Sequence, residues 1–137
     1  MMKTVKQNIK KMLLIFNHDL GQDQMEDAKD SLGVENFVAM PAVLKKTWGQ
    51  IPAEAKRIEE FVMPVKEWIK STADKGDVIL IQGDFGATYL LVSYAWDLEL
   101  VPVYATTRRR AEEIPQADGT MKMIHVFKHV QFRRYTR

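Results

Sequence analysis

The sequence predicts an α/β domain with a mainly parallel sheet, and three observations carry that expectation. Short apolar runs recur along the chain: MLLIF at 12–16, NFVAM at 36–40, DVILIQ at 77–82 and LVPVYAT at 100–106. Segments of helical period separate most of them. Strands that are apolar at consecutive positions suit a sheet covered by helices on both faces. The 137 residues, 46% hydrophobic and 28% charged, suffice for one core and leave little room for a second.

The elements follow in chain order. Residues 1–11 carry four lysines and no acid, and read as a basic extension ahead of a single domain at 12–137. The basic and then apolar start imitates a secretion signal, but the apolar run stops after five residues at Asn17-His18-Asp19. That is too short for a signal core or a membrane span, so a cytoplasmic protein is expected. Asp19, followed three residues later by Gln22, resembles a capping box opening a helix to about Leu32. NFVAM, ended by Pro41, gives the second strand. From Pro52 to about Ala73, Ile58, Phe61, Val62, Val65, Trp68 and Ile69 fall at helical spacing, with Pro64 expected to kink or split that helix. A third strand, a helix from about Ala87 to Leu98 and a fourth strand complete the alternation, which implies right-handed crossovers. A small Rossmann-like domain is the expected result.

The tail changes period. Asp118-Gly119 is a turn signal between RRRAEEI and MKMIHVFKHVQFRRY, so a β-hairpin is expected over 107–135. Strict alternation along its second arm places Ile124, Val126, Val130 and Phe132 on one face with Lys128, and His125, Phe127, His129, Gln131 and Arg133 on the other.

Charge is segregated although the net charge is only +2. Residues 12–105 hold eight basic and fifteen acidic side chains, whereas 106–137 hold eight basic and three acidic. A basic tail on an acidic body points to an anionic ligand held at one place rather than to a protein coated with charge for duplex DNA, with plain solvated ends as the alternative. With no cysteine, disulfides and thiolate zinc sites are excluded.

Ligands of open parallel sheets bind beyond the carboxyl ends of the strands. Gly83-Asp84-Phe85-Gly86, between Gln82 and Thr88, is such a strand-to-helix turn. Its glycines permit close backbone approach, and the following helix offers N–H groups to an anion. It is neither a Walker loop nor a GxGxxG fingerprint, and an ordinary turn capped by Asp84 would look the same. Asn17-His18-Asp19 ends the first strand and Thr106-Thr107-Arg108 the fourth, so all three groups are expected to open on one edge. Together they suit a phosphate-bearing ligand. His125 and His129 lie about 13 Å apart along a strand, too far to share a metal ion.

Four segments, MLLIFNHDL, GDVILIQGDFGATYLLV, VPVYATTRR and DGTMKMIHVFKHVQFRRY, resemble the small stand-alone proteins of the CRISPR-associated Rossmann fold (CARF) superfamily, in its ring nuclease group. The resemblance runs from Met12 to about Tyr135. It implies a homodimer that binds cyclic oligoadenylate, most often cyclic tetra-adenylate, across its two-fold axis. It further implies ring opening that ends type III CRISPR antiviral signalling. That reaction needs no cofactor and no metal: a ribose 2′-hydroxyl attacks its own phosphate, and positioning and cations accelerate the step.

The residues suggest roles. His18 is the candidate base, with an adenine contact or a structural role as the alternative. Arg108 and Lys128 are candidates to stabilise phosphate charge. Asn17, Asp19, Gln82, Gly83, Gly86, Thr88, Thr106 and Thr107 are candidate ligand contacts. Asp84 suits a ribose hydroxyl, an adenine amino group or its own turn, and Phe85 an adenine face or the core. His129 and Arg133 reach the ligand if the hairpin folds over it or comes from the partner subunit. Two rivals stand beside this reading: a non-catalytic cyclic oligoadenylate sensor or sponge, and a single-stranded RNA-binding protein using the basic hairpin.

Overall fold

The computed structural model describes residues 9–137. Among them, β1 (Lys11–Ile15), α1 (Gln22–Leu32), β2 (Asn36–Ala39), α2 (Ala42–Gly49), α3 (Glu59–Thr72), β3 (Val78–Ile81), α4 (Phe85–Asp97), β4 (Val101–Pro115) and β5 (Met121–Arg134) follow in turn. The five strands form one sheet in the order β2-β1-β3-β4-β5. The first four run parallel, and β5 returns antiparallel to β4.

Apolar runs become central strands because both sheet faces are covered. Along β1, Met12 faces one cluster with Ala28 of α1, while Leu13 and Ile15 face another built on α2, α3 and α4. The same alternation splits β3, with Val78 and Leu80 toward α1 and Ile79 and Ile81 toward the other helices. All four β3 side chains are fully buried. Each such side chain contributes roughly 1.5–3 kcal/mol relative to exposure.

At the amino edge of the sheet, buried Asp77 accepts the Lys11 N–H through Oδ1 at 3.0 Å and the Asp74 N–H through Oδ2 at 2.8 Å, and the Lys11 ammonium lies 3.0 Å from Oδ2. The hydrogen bond to Asp74 leads the interactions that raise the Lys11 pKa above its ordinary value, against the opposing effect of burial. Lys11 therefore belongs to the folded body. Of the expected basic extension, residues 1–8 lie outside the described residues.

Several expectations need correction. The helix over Pro52–Ala73 is shorter, running from Glu59 to Thr72, and α2 precedes it with Leu44 and Trp48 turned inward. Helix α3 runs unbroken through Pro64. The start of α1 is capped not by Asp19 and Gln22 but at Gly21, whose N–H donates to Gln24 Oε1 at 2.9 Å.

The fourth strand does not stop at residue 106. It pairs with β3 only from Val101 to Val103, then continues to Pro115 against β5. Beyond Ala105 the two strands form an arm that projects past the carboxyl edge by about 35 Å at roughly 3.4 Å per residue. Gly119, at φ 87°, sits in its tip turn.

The arm's alternation is also interrupted. Thr106 pairs with Gln131 but Thr107 pairs with His129, leaving Val130 as the extra residue of a β-bulge. Phe132 and His129 consequently fall on the same face, with ring centroids 4.8 Å apart. Lys128 falls on the opposite face from Phe132, contrary to strict alternation.

Candidate functional site

The strand order reverses between β1 and β3, which is where an open parallel sheet usually leaves a crevice. Here Trp48 fills it. Its indole N–H donates to the Gln82 carbonyl at 2.9 Å, and a Cβ on Gly83 would lie only 2.6 Å from the ring. Gly83 is thus required by the tryptophan. The α4 N-terminus is occupied as well, since the Asp84 carboxylate accepts the Ala87 N–H at 3.0 Å. Asp84 belongs to its own turn, and the expected anion seat on this helix is taken by a side chain of like charge to the ligand.

The open cleft lies one strand over, between β3, β4 and α4. It has a volume of about 460 Å³ and is lined by Gln82, Gly83, Phe85, Thr88, Tyr104 and Tyr135. Gln82 bridges the parting strands, its Oε1 accepting the Ala105 N–H at 2.7 Å where the β3–β4 ladder has ended. Tyr135 donates its hydroxyl to the Ile81 carbonyl at 2.7 Å. Burial, and secondarily Tyr104, push the Tyr135 phenol above its ordinary value, so it stays protonated. Arg133 donates to the Tyr104 hydroxyl at 2.9 Å, which leaves the Tyr104 proton for another acceptor. Thr88 Oγ1 is buried without a hydrogen-bond partner, and Phe85 is 95% exposed.

The cleft adjoins a row of cations. Tyr104, Thr106, Arg108 and Arg110 alternate onto one face of β4, and the register sets Lys128 opposite Arg108 and Arg133 opposite Tyr104. Arg108, Arg110, Lys128, His129 and Val130 line a concavity of about 420 Å³ at the arm's root.

The sequence-derived candidates are thereby divided. Gln82, Gly83, Phe85 and Thr88 meet in the cleft, and Arg108, Lys128 and Arg133 stand on the face that continues from it. Asn17 packs against Gly49, and Asp19 pairs with Lys45 at 3.2 Å, both toward α2. His18 is exposed, its ring 6.2 Å from that of Phe16 on the α1-facing side. The three strand-end groups share an edge but not a pocket. Gly86 borders a separate hollow beside Ile58 and Arg57. The Thr106 hydroxyl donates to the Gln131 carbonyl beside the bulge, at 3.1 Å, and Thr107 is exposed on the other face.

His129 is engaged elsewhere through one ring nitrogen, while its Nδ1 is buried without a hydrogen-bond partner. Its Nε2 lies 2.8 Å from Asp27 of α1, fastening the arm's root to the body. Burial alone would raise the Asp27 pKa, but hydrogen bonds from Ser31 and His129 outweigh it and hold the carboxyl below its ordinary value. Sequence reasoning missed Tyr104, Tyr135 and Arg110. A period of two counted outward from Tyr104 would have found Arg110.

Among the described residues, no group of three His, Asp or Glu side chains could hold a metal ion, and no helix is long and apolar enough to cross a membrane.

These features define a mixed α/β protein whose five-stranded, mostly parallel sheet carries a long antiparallel arm beside an aromatic cleft. The chain belongs to the family described as the Uncharacterized protein MJ1673 family, whose profile matches residues 10–133 and so includes the arm. It is 43% identical over 125 residues to Uncharacterized protein MJ1673 of Methanocaldococcus jannaschii, covering 91% of this chain and 96% of that protein. No solved structure matches.

Proposed function

We propose that this protein is a CARF-type ring nuclease that binds cyclic oligoadenylate and opens the ring. The observation that carries the reading is Thr88: a buried hydroxyl without a partner, beside the exposed Phe85 ring and at the foot of a row of cations. A flat base with polar edges suits the first two, and phosphates suit the third. The four segments that resemble small CARF proteins, together with the strand order 2-1-3-4 of the parallel part, support the choice of ligand.

In this reading an adenine stacks on Phe85, with the Gln82 amide, Thr88 and Tyr104 as its polar contacts. Arg108 and Lys128 hold the phosphate that follows. The ribose 2′-oxygen then attacks that phosphorus in line, and the bond from phosphorus to the 5′-oxygen breaks. The 2′-hydroxyl proton is lost and the departing 5′-oxygen gains one, leaving a 2′,3′-cyclic phosphate and a 5′-hydroxyl. Removing one cation that stabilises the developing charge costs roughly 10²-fold in rate.

A second reading, a sensor or sponge that binds the ring intact, draws on one observation: the cleft lining contains no histidine, and His18 stands outside it. Incubation with cyclic tetra-adenylate, with and without EDTA, followed by mass spectrometry separates the readings. Linear product with a 2′,3′-cyclic phosphate, formed in EDTA, is the expected result. Arg108→Ala and Lys128→Ala should each slow it about 10²-fold, and His18→Ala by less than about threefold. Intact ring retained by the protein would leave only the sensor, and no binding at all would sink the ligand assignment.

A further inference from the structure

The arm's own fold leaves much of its surface without a purpose. A two-stranded ribbon is marginally stable alone in water, yet this one stands clear of the sheet with Phe127 at 66% and Met123 at 56% exposure. The bulge sorts its side chains so that Arg109, Ala111 and Glu113 of β4 share one face with Phe127, His125 and Met123 of β5. This is the α1-side face, opposite the cation row.

We propose that two copies of this chain pair through that face, arm on arm and tip to root, about a two-fold axis through Ala111 and His125. Charge selects the direction. Arg108, Arg109, Arg110 and Lys128 make the root cationic, while Glu112, Glu113 and Asp118 near the tip outnumber Lys122. Arms laid face to face in the same direction would set β4 of each copy on β5 of the other, Arg109 over Phe127 and Glu113 over Met123, and leave the charges unpaired. Turned end over end, they set Glu113 of each copy against Arg109 of the other.

The same operation brings Met123 of each copy onto Phe127 of the other, because both pairs lie two residues either side of Ala111 and His125. Every contact off the axis is thus made twice, as an isologous interface requires, while Ala111 and His125 each meet their own equivalent once. Alanine at the axis lets the two backbones approach. Only one face is consumed, so Arg108, Arg110 and Lys128 remain open beside each copy's cleft. The pairing goes beyond the ligand reading and does not depend on it.

Sedimentation velocity of the full chain without nucleotide, over a concentration series, tests the pairing. The wild-type protein should run as a dimer. Glu113→Arg or Arg109→Glu should weaken dimerisation at least about tenfold, and Ala111→Arg should abolish it. The double variant Arg109→Glu/Glu113→Arg should restore the dimer to within about threefold of wild type, since the charges are exchanged in place. All three positions are exposed, and unchanged circular dichroism will show that each variant is folded. A wild-type monomer at every concentration would overturn the pairing and give the face to another partner such as linear RNA. A dimer indifferent to Glu113→Arg and Ala111→Arg would overturn it as well, and loss that the double variant fails to rescue would overturn the register.

Discussion

From Val78 to Ile81, β3 shows no side chain to solvent, whereas from Thr107 to Pro115 every residue of β4 is exposed, though both strands belong to one sheet. The first is held by apolar burial on two faces. The second is held by its ladder to β5 and by cross-strand pairs of roughly 0.2–1 kcal/mol each. A residue in β3 therefore governs whether the protein folds, and a residue in the outer arm governs what the folded protein meets.

The largest expected effect tests that division directly. Ile79→Ala should lower unfolding free energy by about 2–5 kcal/mol, and Phe127→Ala by no more than about 0.5 kcal/mol at a concentration where the chain is monomeric, both read from urea denaturation. Equal costs would erase the distinction between body and arm.

Asp27 sits on the boundary between the two regions. Asp27→Asn should loosen the arm's root by about 1 kcal/mol, seen as faster hydrogen exchange from His129 to Phe132 while the β3 amides keep their protection. Because the Asp27 carboxyl is held below its ordinary value of 3.8, its contribution is complete above that pH and is lost as pH falls through the lower folded value. Acid should thus free the wild-type root just as the substitution does, and the variant should lack this pH dependence.

The smallest effect concerns the cleft. Thr88→Val replaces an unpartnered buried hydroxyl with a methyl of similar shape, so it should leave stability unchanged or raise it by up to about 1 kcal/mol. The same change should weaken ligand binding about tenfold by calorimetry, which separates a hydroxyl kept for binding from one kept for the fold.

The body was largely legible in the sequence, and the reason is local. Strand β3, and β1 past Lys11, are runs in which each side chain is apolar, and they declare their burial without reference to any partner. Helix α2 is eight residues long, turns only Leu44 and Trp48 inward and exposes Val43, too little signal to register as a period. The length of β4 was illegible for another reason: past Ala105 it is a strand because β5 lies beside it, not because of its own composition. The cleft residues Gln82 and Thr88 followed from the rule that parallel strands open at their carboxyl ends. That Trp48 would close the neighbouring crevice depended on a packing contact across 34 residues, which no motif records.

The bulge at Val130 acts as a phase offset between two strands that leave the body in step. Deleting Val130 would regularise the ladder and leave each arm face as it is. Inserting one residue after Thr106 would also regularise it, with every cross-strand pair of the arm preserved, but would turn the whole arm over. The cation row would then look toward α1 and Phe127 toward the cleft. A single codon in β4 therefore acts as a reversing gear, exchanging the surfaces for recognition and assembly while the core beneath them stays untouched.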